Sequence, residues 1–418
     1  MTGPNRRTFL AATAALAAPA IVRAKAPREK LGVAVIGLRS RGLDLVQSFV
    51  KDEGSEVVAV CDVDDAMIAR PVQAVESLGG KAPRVVKDFR RLLDDPAIGA
   101  VAIATPDHWH AIMTILACQA GKDVYVEKPA SHNVIEGRRM VEAARKHDRI
   151  VQLGTQRRSG RFVRDAIDHL HSGAIGKVGL ARTWHHQARP SIGKSGPGPV
   201  PAGVDYAMWQ GPAPDRPFHP NRFHYSWHWF WHWGTGELGN NGIHAVDVAR
   251  WGLGVDAPTR VVSSGGKYVH DDDQEVPDTQ MVTWEFPGCA IAWEHKMWSK
   301  HGVDGSGFGI AFDGANGTLV IDSDGWRVVD GDKAGGPATD MQAEHVADFL
   351  RAVADRKPPA AEIEAGHLST RLCHLGNVSH RVGRALAFDA ATESFPGDDQ
   401  ANALLGRDYS DAFPLPTA

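Results

Sequence analysis

Two short stretches of this chain carry side chains able to move protons. Glu127-Lys128-Pro129 closes an apolar run, Val124-Tyr125-Val126, that reads as a buried strand. Pro129 stops the strand and fixes the backbone that aims the lysine. Burial beside a positive group lowers a lysine pKa, so Lys128 could help to accept a proton. The second stretch runs from Gly236 through Glu237, Asn240 and His244 to Asp247. On a helix, Asn240 and His244 share a face at i,i+4, with Asp247 beside His244 at i+3. His244 is then a candidate general base, and the competing reading is a helix histidine satisfied within the core. Asn240 can orient a hydroxyl but carries neither a proton nor a charge. Lys128, His244 and Asn240 are the expected catalytic residues, with Glu127 positioning Lys128.

A third stretch, Phe223 to Trp233, places His224, His228 and His232 four residues apart among four tryptophans. A helix would align the imidazoles for a metal, but no carboxylate or cysteine ligands accompany them, so no metal is expected. These rings read instead as a wall of a cleft that stacks on sugar faces. Trp209, His228 and His232, with Gln156, Arg157 and Asp247, are the expected substrate contacts.

The elements that must position Lys128 begin at the strand Leu31–Ile36, apolar throughout as a strand covered on both faces should be. Gly37-Leu38-Arg39-Ser40-Arg41-Gly42 and an amphipathic helix follow it. This is a dinucleotide-binding turn in which Arg39 stands at the middle glycine position. Gly37 permits the tight turn, Gly42 the close helix–strand approach, and a pyrophosphate sits on the helix N-terminus. Arg39 either points away or helps to neutralise the diphosphate. A second strand, Val57 to Cys61, ends at Asp62, twenty residues beyond Gly42, where an acid accepts from the adenosine ribose. The competing role for Asp62 is a helix N-cap. Asp62 favours NAD, with NADP the alternative because Arg39 and Arg41 lie close by. Gly37, Arg39, Ser40, Arg41, Gly42 and Asp62 are the expected cofactor contacts.

With these flanks the chain resembles the Gfo/Idh/MocA oxidoreductases from about Leu31 to Arg384, through its Glu127-Lys128-Pro129 signature. The resemblance implies an α/β N-terminal Rossmann domain and an α+β C-terminal domain with a large, mostly antiparallel open sheet. It implies tightly bound NAD, with Thr105, Pro106 and His110 passing its nicotinamide side next to Glu127 and Lys128. The family pattern Asp-x-x-x-His is met at His244, while Asn240 replaces the aspartate, so a carboxylate relay would need Glu237 or Asp247. A homodimer or homotetramer paired through the open sheet face is also implied.

Residues 1–24 read as a twin-arginine (Tat) leader: Arg6-Arg7 precedes Phe9-Leu10, an alanine-rich run and the small-residue site Val22-Arg23-Ala24. The protein is then expected in the periplasm, with the Tat machinery as a partner. Residues 30–155 form the expected cofactor domain, 156–390 the substrate-binding and oligomerisation domain, and 391–418 a tail, poorly ordered or draped over a neighbour. With 46 Lys+Arg against 50 Asp+Glu, the net charge of −4 gives no basis for nucleic-acid binding. Cys61, Cys118, Cys289 and Cys373 are widely spaced in apolar surroundings and read as core thiols.

The periplasm offers no obvious nicotinamide pool, so the cofactor should be retained and restored in each turnover. Oxidation of one carbohydrate or polyol hydroxyl with reduction of a second substrate meets that condition and is the leading expectation. Redox-neutral glycoside cleavage or elimination through a transient keto-sugar meets it too. A non-catalytic sugar- or nucleotide-binding module is the third reading, supported by Asn240 and Arg39 alone.

Overall fold

The computed structural model describes residues 30–303, 305–331, 335 and 338–418. The expected leader, residues 1–24, lies outside the described residues. Apolar runs covered on both faces build the first layer. They are β1 (Leu31–Ile36), β2 (Ser55–Cys61), β3 (Arg84–Val86), β4 (Ala100–Ile103), β5 (Asp123–Val126) and β6 (Val151–Leu153). All pair in parallel, in the order β3-β2-β1-β4-β5-β6. The order reverses between β1 and β4, which opens a crevice at the carboxyl ends of the strands, where such sheets hold ligands. Lys128 lies just past β5, next to that crevice.

Beyond residue 160 the patterning changes to alternation. β7 (Val178–His186), β8 (Arg260–Gly266), β9 (Thr279–Phe286), β10 (Cys289–Lys296), β11 (Phe308–Gly314), β12 (Gly317–Asp322), β13 (Trp326–Val328) and β14 (Leu386–Ala387) form a second sheet. Its order is β13-β12-β11-β7-β10-β9-β8-β14, antiparallel except where β7 meets β10. The fold is thus a Rossmann α/β domain joined to an α+β domain with a large, mostly antiparallel sheet. Alternate residues of β9 are buried under the helices Ile243–Leu253 and Ile363–Val382. Trp284 fixes that packing by donating from Nε1 to the Leu372 carbonyl at 2.9 Å.

The last long helix stops at Val382 because Gly383 takes φ +71°, and Leu386–Ala387 pair with β8. One expectation changes here. The tail, expected to be poorly ordered or draped over a neighbour, lies along its own chain. Tyr409 donates to Glu136 at 2.9 Å, Arg407 donates to the His232 carbonyl at 3.0 Å, and the Phe413 ring packs 4.9 Å from Trp109. All four cysteines are free, and Cys61, Cys118 and Cys373 are buried.

Candidate active site

A cleft of about 330 Å³ opens at the carboxyl ends of β1, β2, β4 and β5, and Trp209, Tyr225, Trp227, His228 and Asn240 close its far side. Gly37 has φ +82°, and a Cβ there would lie 2.7 Å from the Ala104 carbonyl oxygen. A Cβ at Gly42 would lie 1.8 Å from the Gly37 oxygen, so both positions exclude any side chain. The helix Ser40–Lys51 starts at the cleft with no side-chain cap, leaving its first amides free for an anion. Arg39 and Ser40 are exposed on the cleft wall, with the Arg39 guanidinium 6.0 Å from the centre of the Tyr225 ring.

Asp62 ends β2 on the same wall. Its carboxylate accepts from Leu38 N at 2.7 Å and Asp64 N at 2.9 Å, which tightens the glycine turn against β2. Burial raises its pKa. The N-cap role belongs to Asp64, which accepts from Ala66 N. Glycine cradle, uncapped helix end and terminal carboxylate together fit a dinucleotide, and an acid at Asp62 disfavours a 2′-phosphate. Arg41 differs from the expectation of a phosphate contact. Its Nε donates to Glu127 at 2.7 Å and its Nη2 to Gln342 at 2.5 Å, so its donors are largely used inside the chain. Against the cost of burial, Glu127 keeps the Arg41 pKa raised.

At the other end of the cleft, Lys128 Nζ donates to both oxygens of Asn240, the backbone carbonyl at 2.8 Å and Oδ1 at 2.9 Å. Burial lowers its pKa from the usual lysine value. In the neutral amine both N–H bonds are then spent on Asn240, and the lone pair is the remaining position. Asn240 passes the interaction on: its Nδ2 donates to Glu237 Oε2 at 3.3 Å. Glu237 also accepts from Asn241 at 2.5 Å and pairs with His185 Nδ1 at 2.8 Å. Against the upward push of burial, His185 and Arg189 hold the Glu237 carboxylate well below its usual pKa. The carboxylate missing at position 240 therefore stands one hydrogen bond further from Lys128.

Asn240 and His244 do not sit on one uninterrupted α-helix. Leu238–Gly242 is a π-helical turn that leads into the α-helix Ile243–Leu253. Such wide turns recur at functional sites because they reposition a side chain within a helix. Gly239 is required in this turn, since a Cβ there would lie 2.0 Å from Thr235 Oγ1. His244 is half-buried and has no hydrogen-bond partner among the described residues. Burial first, then the charges of Lys128 and Arg157, hold its pKa well below the usual value, so the imidazole is neutral and can accept a proton.

His228 lines the cleft with its ring stacked on Trp227 at 3.6 Å and its Nδ1 2.5 Å from the Tyr225 carbonyl. Burial brings its pKa down to about 3, which keeps it neutral. Trp209 also lines the cleft, its ring parallel to Tyr206 with centroids 5.5 Å apart. Thr105 and Pro106 lie on the cleft wall after β4.

Sequence reasoning missed Asp107. It is only 2% exposed, lines the cleft, and accepts from Thr235 Oγ1 at 2.6 Å. Burial pushes its pKa up to about 7, against the pull of Lys128. Its position after Pro106, at the end of β4, was the available signal, because charged groups at strand ends face this crevice. The raised pKa has a stability consequence. Between the ordinary value near 4 and about 7 the folded protein holds a proton that the unfolded chain has lost. Wild-type stability should therefore fall as pH rises through that window, by up to about 1.4 kcal/mol per pH unit. Asp107→Asn should flatten this slope, as read by urea unfolding at pH 5 and pH 7.

Several expected contacts lie elsewhere. Asp247 is not at the substrate cleft; it is fully buried in a two-pronged ion pair with Arg158, at 2.8–3.0 Å, and accepts from Ser369 at 2.6 Å. His110 does not line the cleft. Its ring nitrogens lie 2.7 Å from the Pro129 carbonyl and 2.9 Å from that of Thr105, tying the loop after β4 to the backbone behind Lys128. His232 faces away, with Nε2 2.6 Å from the Pro214 carbonyl. The three histidines never align, because Ser226–Trp229 is a 3-10 turn rather than part of a longer helix. Among the described residues no group of three or more potential ligands could hold a metal ion. Gln156 joins the Arg41 network; in the amide orientation that satisfies both atoms it donates to the Gly154 carbonyl and accepts from Arg41. Arg157 is not among the residues that line the cleft; it stacks on Phe308 at 4.0 Å, and its charge acts on His244.

Comparison with known proteins matches residues 31–155 to the Gfo/Idh/MocA "Oxidoreductase family, NAD-binding Rossmann fold". Residues 183–414 match the "Oxidoreductase family, C-terminal alpha/beta domain" of the same group. A "Glycosyl hydrolase family 109 protein" of Stenotrophomonas maltophilia is 38% identical over 136 residues, which is 30% of this chain and 30% of that protein. A second protein so named, from Shewanella sp. strain ANA-3, is 30% identical over 171 residues, or 34% of this chain and 38% of its own length. Among solved structures, the aldose-aldose oxidoreductase of Caulobacter crescentus superposes with a TM-score of 0.66 at 21% identity, covering 86% of this chain and all (100%) of that one. A levoglucosan dehydrogenase gives 0.67 at 19%, covering 86% and 99%. At these identities the structural likeness shows the fold.

Proposed function

The chain belongs to the Gfo/Idh/MocA family of NAD(P)-dependent oxidoreductases, and from that premise we propose that it oxidises a carbohydrate or polyol hydroxyl at Lys128 while retaining its nucleotide. The observation that carries this reading is the Lys128–Asn240–Glu237 chain of hydrogen bonds at the end of the nucleotide cleft. Gly37, Gly42, the amides at Ser40 and the Asp62 carboxylate would hold NAD. When bound, NAD would supply the hydride acceptor that oxidation of the hydroxyl to a carbonyl requires. Lys128, held by Asn240, bonds that hydroxyl and accepts its proton, since burial keeps the amine basicity down. The neutral His244 is the second acceptor and relieves Lys128 of the proton. Asn240 is a positioning residue, and His228, Trp227 and Trp209 exclude water from the reacting face. Return of hydride and proton to a second carbonyl substrate restores the starting state.

Nucleotide retention has its own structural support. The segment before the tryptophan-rich stretch is tied to the loop after β2: Asp205 N donates to the Val63 carbonyl at 2.9 Å and Asp65 N to that of Gly203 at 3.2 Å. His224 Nε2 then lies 2.7 Å from Asp64 Oδ2. These ties strap the adenosine side of the cleft. His224→Ala should speed release of bound NADH about three- to tenfold, the equivalent of one ordinary hydrogen bond, as measured by stopped-flow fluorescence.

The curated relatives favour a second reading, redox-neutral glycoside cleavage, since those reported above bear glycosyl hydrolase names. The twin-arginine pattern of residues 1–24 supports Tat export to the periplasm, where a retained cofactor would matter most. A panel of sugars and nitrophenyl glycosides offered to purified, NAD-loaded protein separates the readings. Reduced cofactor that accumulates until a second sugar is added supports the oxidoreductase. Nitrophenol release without net reduction supports the glycosidase. Neither signal, despite NAD binding, supports a non-catalytic module.

A further inference from the structure

The turn after β6 sets two arginines side by side with opposite fates. Arg158 is fully matched by Asp247. Arg157 has neither a carboxylate nor a hydrogen-bond acceptor among the described residues, although its Nη1 is shielded from water. Its guanidinium carbon lies over the face of Phe308, 4.0 Å from the ring centre. The acid whose field reaches it, Asp322, is already committed to Arg327 and to Asp324 N. Burial of this unmatched cation draws its pKa down to about 10. A shielded guanidinium without an anion is costly, so the arrangement is incomplete as it stands.

The surroundings indicate what completes it. The charges that most affect His244 are those of Lys128, Arg157, Arg41 and His185. Arg41 is balanced by Glu127 and His185 by Glu237. Lys128 is held by Asn240 and feels Glu127 and Asp107, whereas Arg157 reaches this site through Phe308, whose ring lies 6.2 Å from that of His185, with no anion of its own among the described residues. Lys128 is assigned to the reacting hydroxyl. Arg157 is therefore free for a fixed anionic group on the same substrate molecule. A single planar fork, with one face stacked on a ring, matches a carboxylate in its plane.

We propose that Arg157 binds a substrate carboxylate, so that the sugar handled at Lys128 and His244 is a sugar acid rather than a neutral sugar. This rests on the carbohydrate reading above and narrows it to one substrate class. The test is affinity: glucuronate and galacturonate against glucose and galactose, titrated into NAD-loaded protein and followed by tryptophan fluorescence. The acids should bind at least about tenfold more tightly, as expected for a charged hydrogen bond. Arg157→Gln should erase that ratio and Arg157→Lys should keep part of it, with NAD titration of each variant confirming a folded protein. If Arg157→Gln fails to bind NAD, the wild-type and Arg157→Lys ratios decide. Equal affinity for acids and neutral sugars, an undiminished ratio in a folded Arg157→Gln, or preference for glucose 6-phosphate over glucuronate overturns the proposal and leaves the carbohydrate reading intact. Failure of every sugar to bind, while NAD does, overturns both.

Discussion

Replacing Lys128 with alanine should lower the rate of sugar-dependent cofactor reduction about 10³-fold, within the range a positioned acid–base group contributes. In the proposed reaction the amine links the hydroxyl proton to Asn240, and among the described residues no other ammonium lines that end of the cleft. NAD affinity should change little, because the glycine turn and Asp62 are untouched. Lys128→Arg should not restore the rate: a guanidinium stays protonated and cannot accept the proton. Pre-steady-state absorbance at 340 nm with matched NAD titrations checks both statements. A rate loss that tracks NAD affinity would move Lys128 from catalysis to cofactor binding.

Asp247→Ala should destabilise the fold by about 3–5 kcal/mol, the usual result of stranding one member of a buried ion pair. Arg158 would keep its charge with no acceptor, and the Ser369 hydroxyl would lose its partner. Ser369 belongs to the helix Ile363–Val382, which also receives Arg250 Nε at 2.8 Å. The loss should therefore spread through the contact between the helices Ile243–Leu253 and Ile363–Val382. Urea unfolding gives the size of the effect. A variant of unchanged stability but altered sugar affinity would return Asp247 to the substrate site.

What the sequence made legible follows the physics of each signal. Strands buried on both faces, such as β1, β4 and β5, announce themselves as unbroken apolar runs, and the glycines of the first turn have no other tenable role. The second sheet was legible as alternation, but the parallel pairing of β7 with β10 was not, because strands distant in sequence carry no local mark of their partner. At the site, Lys128 was legible through its place after a strand and Asn240 through its i,i+4 spacing from His244. The π-turn was invisible: i,i+4 spacing assumes 3.6 residues per turn, and the extra residue that re-aims Asn240 has no compositional signature. His110, expected from the family resemblance, turns both ring nitrogens to backbone carbonyls instead of the cleft, and Asp247 misled for a different reason. Spacing locates a polar side chain on a helix face but does not say whether that face meets a cleft or a buried arginine. Asp107 escaped because its significance lies in burial, which pushes an ordinary carboxyl up to about 7.

The account stands on a hydride leaving a sugar carbon beside Lys128. The direct measurement offers NAD-loaded protein sugars and sugar acids perdeuterated on carbon and examines the nicotinamide by mass spectrometry. One deuterium should appear in the nicotinamide with wild-type protein, and about 10³-fold more slowly with Lys128→Ala. Absence of deuterium from the nicotinamide across the panel, or its equally fast appearance in the Lys128→Ala variant, would contradict the account.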